Sequence, residues 1–304
     1  MRWYRANRRD LPWRADKDPY RVWLSEIMLQ QTRVNAVLEH YREFLERFPT
    51  VGDLAAARLP AVLAAWSGLG YYRRARALHA AAKMIVKERG GRFPVTAADL
   101  RTLPGVGRYT ASAIASIAFN RPVAVVDGNV ERVLRRVTGQ ELAGEKLWAE
   151  AEAGLSRRHP GDYNQAMMEL GAIICTPRQP RCLVCPVSDL CATRGESPRT
   201  KTEVRQRKEI HYALGQSQNS VYLVKRGKSE SLMPGMWELP EIAANGHTPV
   251  VTLRHSITVT DYVVQVVEAA APESAQGRWL PYSRLKTLPL TGLTKKILRA
   301  TGII

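Results

Sequence analysis

Cysteine is scarce in this chain and unevenly placed: 304 residues hold four, all between Cys175 and Cys191. Disulfides are not expected where thiols stay reduced, as in the cytoplasmic location expected below, so the cluster needs its own explanation. Acidic residues are also in deficit, 28 Asp and Glu against 45 Lys and Arg, for a net charge of +17. Both halves of the chain share the excess, which favours a polyanionic partner because neutralised phosphates release condensed counterions. No run of about 18 apolar residues exists to span a bilayer. Met1-Arg2-Trp3-Tyr4-Arg5 lacks the apolar core of a secretory leader, so a cytoplasmic location is expected. Internal repeats and low-complexity tracts are missing too. What remains is a chain with 45% hydrophobic residues, long enough for two globular domains, each with a core of its own.

The first two thirds read as all-α. Asp18-Pro19 is a helix start, an N-cap followed by proline in the first turn. Glu26 then stands among apolar neighbours three and four residues away, Trp23 and Val22 included, with Ile27 beside it. Further helices are expected from about Arg33 to Phe48, from Asp53 to Trp66, and from Arg73 to Arg89, where Gly90-Gly91 supplies the C-cap. Thr96-Ala97-Ala98-Asp99 resembles a capping box with Asp in the acidic slot. Residues 195–210 are charged and turn-rich, and a linker is placed at 198–209. Beyond it, Ser220–Val224 and Thr260–Val267 are β-branched strand runs, and Tyr282–Leu285 and Thr294–Ala300 are short helices. The second half is therefore an α+β domain over 210–304.

Three patterns bear chemistry. Cysteines 175, 182, 185 and 191 are separated by six, two and five residues. Four thiolates so close can wrap one metal centre, and a cubane iron–sulfur cluster wants four. Zinc takes four thiolates as well, although its modules usually show two short pairs. Leu103-Pro104-Gly105-Val106-Gly107-Arg108-Tyr109 places two glycines around Val106 before an Ala/Ile-rich helix. That is a tight helix–hairpin–helix turn, whose free amides can hold a phosphate without reading sequence. Asp127, after Val125-Val126 and before Gly128-Asn129-Val130, could simply cap a helix. Its place downstream of the hairpin favours a functional carboxylate instead.

Together the hairpin, the following Asp and the cysteine spacing resemble the endonuclease III superfamily of base-excision glycosylases. Leu11-Pro12-Trp13-Arg14, Trp23–Thr32, Trp66-Ser67-Gly68-Leu69-Gly70-Tyr71-Tyr72-Arg73 and Tyr163–Gly171 are similar to the MutY-type adenine glycosylases within it. The resemblance covers nearly all of residues 3–191. It implies a helical glycosylase domain over 1–197, with a six-helix part at about 18–125 and an iron–sulfur part made of 1–17 plus 126–197. It implies one 4Fe-4S cluster on Cys175, Cys182, Cys185 and Cys191. The implied partner is double-stranded DNA with a mispaired adenine, bound by a nucleoid-associated monomer.

The same resemblance distributes roles. Glu26 is the acid that protonates the leaving adenine, and Asp127 stabilises the positive sugar or adds to it. Asn129 and Tyr109 hold that constellation together, Arg14 and Glu169 line the adenine pocket, and Gly105, Val106 and Gly107 meet the DNA backbone. Gln31 and Tyr71 enter the base stack, with Gln30 as the alternative to Gln31. Physics supports the division: adenine leaves poorly unless protonated, so a buried acid of raised pKa and a second, ionised carboxylate are both needed. Tyr109 stands where strand-cutting members carry a Schiff-base lysine, so excision without efficient strand cleavage is expected.

The second domain resembles the Nudix-like recognition domain of the same family. Pro234-Gly235-Met236-Trp237-Glu238-Leu239-Pro240 fits its Gly-x-Trp-x-x-Pro stretch, while no Glu-rich metal-binding helix follows. The family's Phe-Ser-His loop for 8-oxoguanine is replaced by Ile257-Thr258-Val259 after Arg254-His255-Ser256. Thr258 keeps the hydroxyl, and His255 or Ser256 is the substitute for the missing imidazole. Three competing readings are a glycosylase/lyase for oxidised pyrimidines, which lacks its lysine here, a mismatch thymine glycosylase, and a non-enzymatic iron–sulfur DNA-binding protein, which has no need of both Glu26 and Asp127.

Overall fold

The computed structural model describes residues 1–194, 206–227, 229–230, 233–244, 246, 248–257, 260–270 and 276–304. The first two thirds are helical throughout: α1 Arg2–Asn7, α2 Pro19–Leu29, α3 Val34–Arg47, α4 Val51–Ala56, α5 Leu59–Ala65, α6 Arg73–Arg89, α7 Ala97–Leu100, α8 Arg108–Ile117, α9 Gly128–Thr138, α10 Gly144–Ala153 and α11 Pro160–Ile173. Asp18 caps α2 by accepting from the Arg21 amide, and Thr96 caps α7 by accepting from Asp99. The single helix expected from Asp53 to Trp66 is two, α4 and α5. Arg58 is extended and Pro60 sits in the first turn of α5, because proline cannot donate to the preceding turn and restarts the helix instead.

After residue 205 the described residues turn to strands: β1 Gln206–Leu214, β2 Gln216–Ser217, β3 Ser220–Lys225, β4 Trp237–Glu238, β5 Glu241–Ile242, β6 Val251–Ile257, β7 Thr260–Glu268 and β8 Gly277–Pro281, then helices α12 Tyr282–Leu285 and α13 Gly292–Ala300. One sheet has the order β5-β1-β7-β6, with β1 and β7 parallel; in the other, β3 is joined by β2, β4 and β8. Val221, Leu223, Val264 and Val266 fill a core closed by Leu293, Ile297 and Leu298 of α13. The linker expected at 198–209 does not include 206–209, since Gln206 to Glu209 already pair with Thr260 to Val263. Their side chains are exposed, so backbone pairing alone makes this strand, and charge does not oppose it. Residues 198–205 lie outside the described residues.

The chain divides into two compact units, one of Met1–Tyr41, Thr50–Ala55 and Ala80–Thr200, the other of Arg42–Pro49, Ala56–His79 and Lys201–Ile304. The boundary placed at about 197 therefore does not coincide with the division by compactness, which groups α5 and the start of α6 with the strands. In the first unit α2 is buried along almost its whole length and packs on α8. Thr110 to Ile117 of α8 are all buried, and their small side chains let α2, α7 and α11 approach that helix. Among the described residues no helix is long and apolar enough to cross a membrane.

Candidate active site and metal centre

The first unit holds a cavity of about 600 Å³ whose wall includes Glu26, Tyr109, Asp127, Asn129, Arg14 and Glu169. Six positions from five separate stretches of sequence thus meet at one opening. Glu26 lies on the last turns of α2 and is only 6% exposed. Burial pushes its carboxyl up to about 7, with the charge of Asp127 adding to the rise, while a hydrogen bond from Tyr109 and the charge of Arg14 act against it. The Tyr109 hydroxyl, on the first turn of α8, donates to Glu26 Oε2 at 2.5 Å. Burial, then the neighbouring Glu26 and Asp127, hold the phenol well above its ordinary pKa, so it remains a donor.

Asp127 is also the N-cap of α9, as the capping reading expected. Its Oδ1 accepts from the Asn129 and Val130 amides at 2.9 and 2.7 Å, and its Oδ2 accepts from Asn129 Nδ2 at 2.9 Å. The cap fixes the carboxylate while leaving it on the cavity wall. Asn129 is held in turn by Arg132, which donates to Asn129 Oδ1 at 2.8 Å and to the Gly171 carbonyl at 2.7 Å. Position 171 has to be glycine, because a Cβ there would fall 2.6 Å from Asn129 Cβ.

Glu169, 1% exposed, shows a partner that the sequence reading missed. Arg9 forks its carboxylate with Nε to Oε1 at 2.9 Å and Nη2 to Oε2 at 2.8 Å, and the Arg9 amide adds a bond at 2.9 Å. Arg14 Nη2 donates to the same Oε2 at 2.8 Å. Burial alone would raise Glu169, yet the bonds from Arg9 and then Arg14 outweigh it and hold the group at about 2. The cavity therefore contains one carboxyl poised near neutrality and one that stays ionised. No local pattern announces Arg9, whose partner is 160 residues away.

The remaining positions separate. Gln30 turns inward and donates to Thr110 Oγ1 at 3.2 Å. Gln31 is exposed on the cavity rim in a left-handed conformation, φ 56°. In the hairpin, Gly105 has φ 75°, and Gly107 is the N-cap of α8, where no side chain among the described residues caps the helix. Tyr71 belongs to the other unit and is 37% exposed. His255 and Ser256 are residues of strand β6 rather than of a loop, a correction to the reading above. His255 pairs across to Tyr262, and Ser256 Oγ donates to Asp261 Oδ1 at 2.6 Å. The β-branched residues Ile257 and Thr260 extend the ladder to this point. Thr258 lies outside the described residues.

The four cysteines are free and line one cavity of about 260 Å³ in the first unit. Among the described residues no three His, Cys, Asp or Glu are placed to share a single metal ion. Burial first, then the neighbouring Cys175, Cys182 and Cys191, raise the Cys185 thiol. The Arg136 guanidinium donates to Cys175 Sγ at 3.4 Å and to the Thr176 carbonyl at 2.8 Å. The donor set fits an iron–sulfur cluster.

Residues 24–152 match the HhH-GPD superfamily of base excision DNA repair proteins, and residues 175–191 match the iron-sulfur binding domain of endonuclease III. The chain is 48% identical over 209 residues to an adenine DNA glycosylase of Homo sapiens, covering 64% of this chain and 38% of the human one. It is 35% identical over 238 residues to an adenine DNA glycosylase of Buchnera aphidicola subsp. Baizongia pistaciae, covering 74% and 68%. A thermostable thymine-DNA glycosylase structure superimposes with a TM-score of 0.60 at 32% identity, over 64% of this chain and 92% of that one. The chain thus spans about two fifths of the human relative it matches.

Proposed function

This chain belongs to the HhH-GPD superfamily of base excision DNA repair proteins, in the family of its adenine DNA glycosylase relatives, with a 4Fe-4S cluster, and from that premise we propose that it hydrolyses the N-glycosidic bond of adenine mispaired with 8-oxoguanine or guanine. The observation that carries the proposal is the pairing in one cavity of Glu26, raised to about 7, with the capped carboxylate of Asp127. At neutral pH a fair share of Glu26 is protonated, as a general acid must be. It gives its proton to the adenine ring, so that the base departs neutral. The Tyr109 hydroxyl then stabilises the carboxylate left behind. Asp127, held by the α9 amides and Asn129, faces the cationic sugar until water adds.

An adenine reaches this cavity only after leaving the duplex, an extrusion costing a few kcal/mol. Gln31 is the better placed of the two glutamines to fill the vacated space, since Gln30 is engaged with Thr110. The hairpin at Gly105-Val106-Gly107 holds a backbone phosphate against the start of α8. The cluster on Cys175, Cys182, Cys185 and Cys191 supplies a rigid centre that the intervening loops wrap, bringing Arg178 and Arg181 toward the backbone. Residues after 206 form the Nudix-like region that recognises the base opposite adenine.

A phenol at position 109 cannot form a Schiff base, so the enzyme acts without efficient lyase chemistry. The thymine reading has the structural likeness in its favour, and the adenine relatives have the higher identity. Incubation with guanine:adenine and guanine:thymine duplexes decides between them. Adenine should be released and the strand should break only after hot alkali. Thymine release without adenine release would overturn the proposal.

A further inference from the structure

Tyr71 sits on a turn whose backbone is unusual for its residues. Gly68 and Gly70 have φ of 112° and 69°, and Tyr71 itself, not a glycine, has φ 46°. The turn is held from within: Trp66 Nε1 donates to the Gly70 carbonyl at 3.1 Å, and Arg74 Nη2 donates to the Leu69 and Gly70 carbonyls at 3.0 and 3.3 Å. The Arg74 guanidinium lies 5.4 Å from the Trp66 ring and 5.3 Å from the Tyr71 ring. These bonds keep the phenol of Tyr71 outward, next to a buried cation.

The turn is also fastened to the strand region of the same compact unit. Tyr72 OH and Ser67 Oγ both donate to the Leu290 carbonyl, at 2.8 and 3.1 Å. Lys295 Nζ, on α13, donates to the Ser67 carbonyl at 3.2 Å. Leu290 is itself locked to the sheet, because Trp237 donates its amide to the Pro289 carbonyl at 2.8 Å and Thr291 donates its amide to the Trp237 carbonyl at 2.9 Å. Farther along, Arg76 donates to the Pro234 carbonyl at 2.5 Å, so the Pro234–Trp237 stretch is joined to α6 as well. Tyr72 is 2% exposed, and Tyr72 and Ser67 are the residues flanking the strained segment 68–71.

We infer that Ser67 and Tyr72 are positioning residues that seat Tyr71 through the Leu290 carbonyl, so that the strand region sets the geometry of the side chain entering the base stack. This rests on the proposed role of Tyr71 in the stack. A shift of the 289–291 segment, such as the strand region would undergo on meeting the base opposite adenine, is passed to both ends of the Tyr71 turn. Recognition of the opposite base and opening of the stack are then one mechanical event rather than two independent contacts.

The test uses the full-length, cluster-loaded protein in a double-mutant cycle. Tyr72→Phe and Ser67→Ala each delete one hydroxyl and keep the packing. Binding is read from the fluorescence of 2-aminopurine placed beside an 8-oxoguanine:adenine pair, which rises as the stack opens and needs no excision. Single-turnover release of adenine is read separately. Each variant should blunt the fluorescence rise and slow release by about 3- to 10-fold, the range expected for one net hydrogen bond. Neither should add more than about 2-fold in a Tyr71→Ala background, because both act through Tyr71. A merely structural role would lower the melting temperature and multiply with Tyr71→Ala, and that result would overturn the inference, as would a wild-type fluorescence rise in both variants. A normal rise with Tyr71→Ala alone would instead refute the role of Tyr71 and the inference with it. Fluorescence that behaves as expected without any adenine release would refute the proposed reaction and leave the seating of Tyr71 supported.

Discussion

Replacing Glu26 by glutamine is expected to stabilise the protein at alkaline pH even as it removes the proposed acid. In the unfolded chain Glu26 titrates near its ordinary 4.5, whereas in the fold burial and Asp127 move it to about 7. Below pH 4.5 both states hold the proton and the group makes no difference to stability. Between 4.5 and about 7 the unfolded chain has released its proton and the fold has not, so stability declines as pH rises. Above 7 the decline is complete. The interval between 4.5 and about 7, at about 1.36 kcal/mol per pH unit, amounts to about 3 kcal/mol. Glutamine fills the same space, still accepts from Tyr109, and carries no charge to bury. The variant should therefore match the wild type near pH 4.5 and exceed it by up to about 3 kcal/mol at pH 8.5. For a chain of this size that is a melting-temperature gain of about 5 °C. Thermal melts of both proteins, cluster-loaded, at the two pH values give the difference directly. Parallel pH dependence in the two proteins would refute the burial argument for Glu26.

Further outcomes follow from the same site. Tyr109→Phe removes the hydrogen bond that lowers Glu26, so the acid should hold its proton to higher pH. The alkaline limb of the single-turnover profile should move upward, and an unmoved or lowered limb would contradict the assignment. Arg9→Ala leaves Glu169 with Arg14 and the Arg9 backbone amide. Arg9 is partly exposed, so a loss of about tenfold in excision is expected, at the weaker end for a charged hydrogen bond. DNA affinity should change little, and an undiminished rate would remove Arg9 from the pocket. Cys185→Ser should lower iron content and the visible absorbance of the purified protein. Stoichiometric zinc without iron in the wild type would defeat the cluster assignment.

Local chemistry was legible where a single stretch contains the whole reason for a structure. Asp18-Pro19 and Thr96-x-x-Asp99 announce helix starts, and the glycines at 105 and 107 announce the hairpin. Resemblance then brought Glu26, Tyr109, Asp127, Asn129, Arg14 and Glu169 to one site, and the fold gathers all six on one cavity wall. What escaped depends on distance or on competition between signals. Arg9 and Glu169 meet only because α11 returns beside the N-terminal segment. Pro60 broke a helix that composition favoured, and backbone pairing turned the charged residues after Gln206 into a strand. The stretch Ala56–His79 groups with the strand region, to which Tyr72 bonds at Leu290, 218 residues away.

The most direct test of the central claim is release of free adenine, under single-turnover conditions, from an 8-oxoguanine:adenine duplex by the wild type, Glu26→Gln and Asp127→Asn. The wild type should release adenine and leave an abasic strand intact until alkali is added. Both variants should bind the duplex and fall by at least about a hundredfold in rate, as loss of an essential acid or of a charge-stabilising carboxylate requires. Adenine release at near wild-type rates by either variant would contradict the two-carboxylate account.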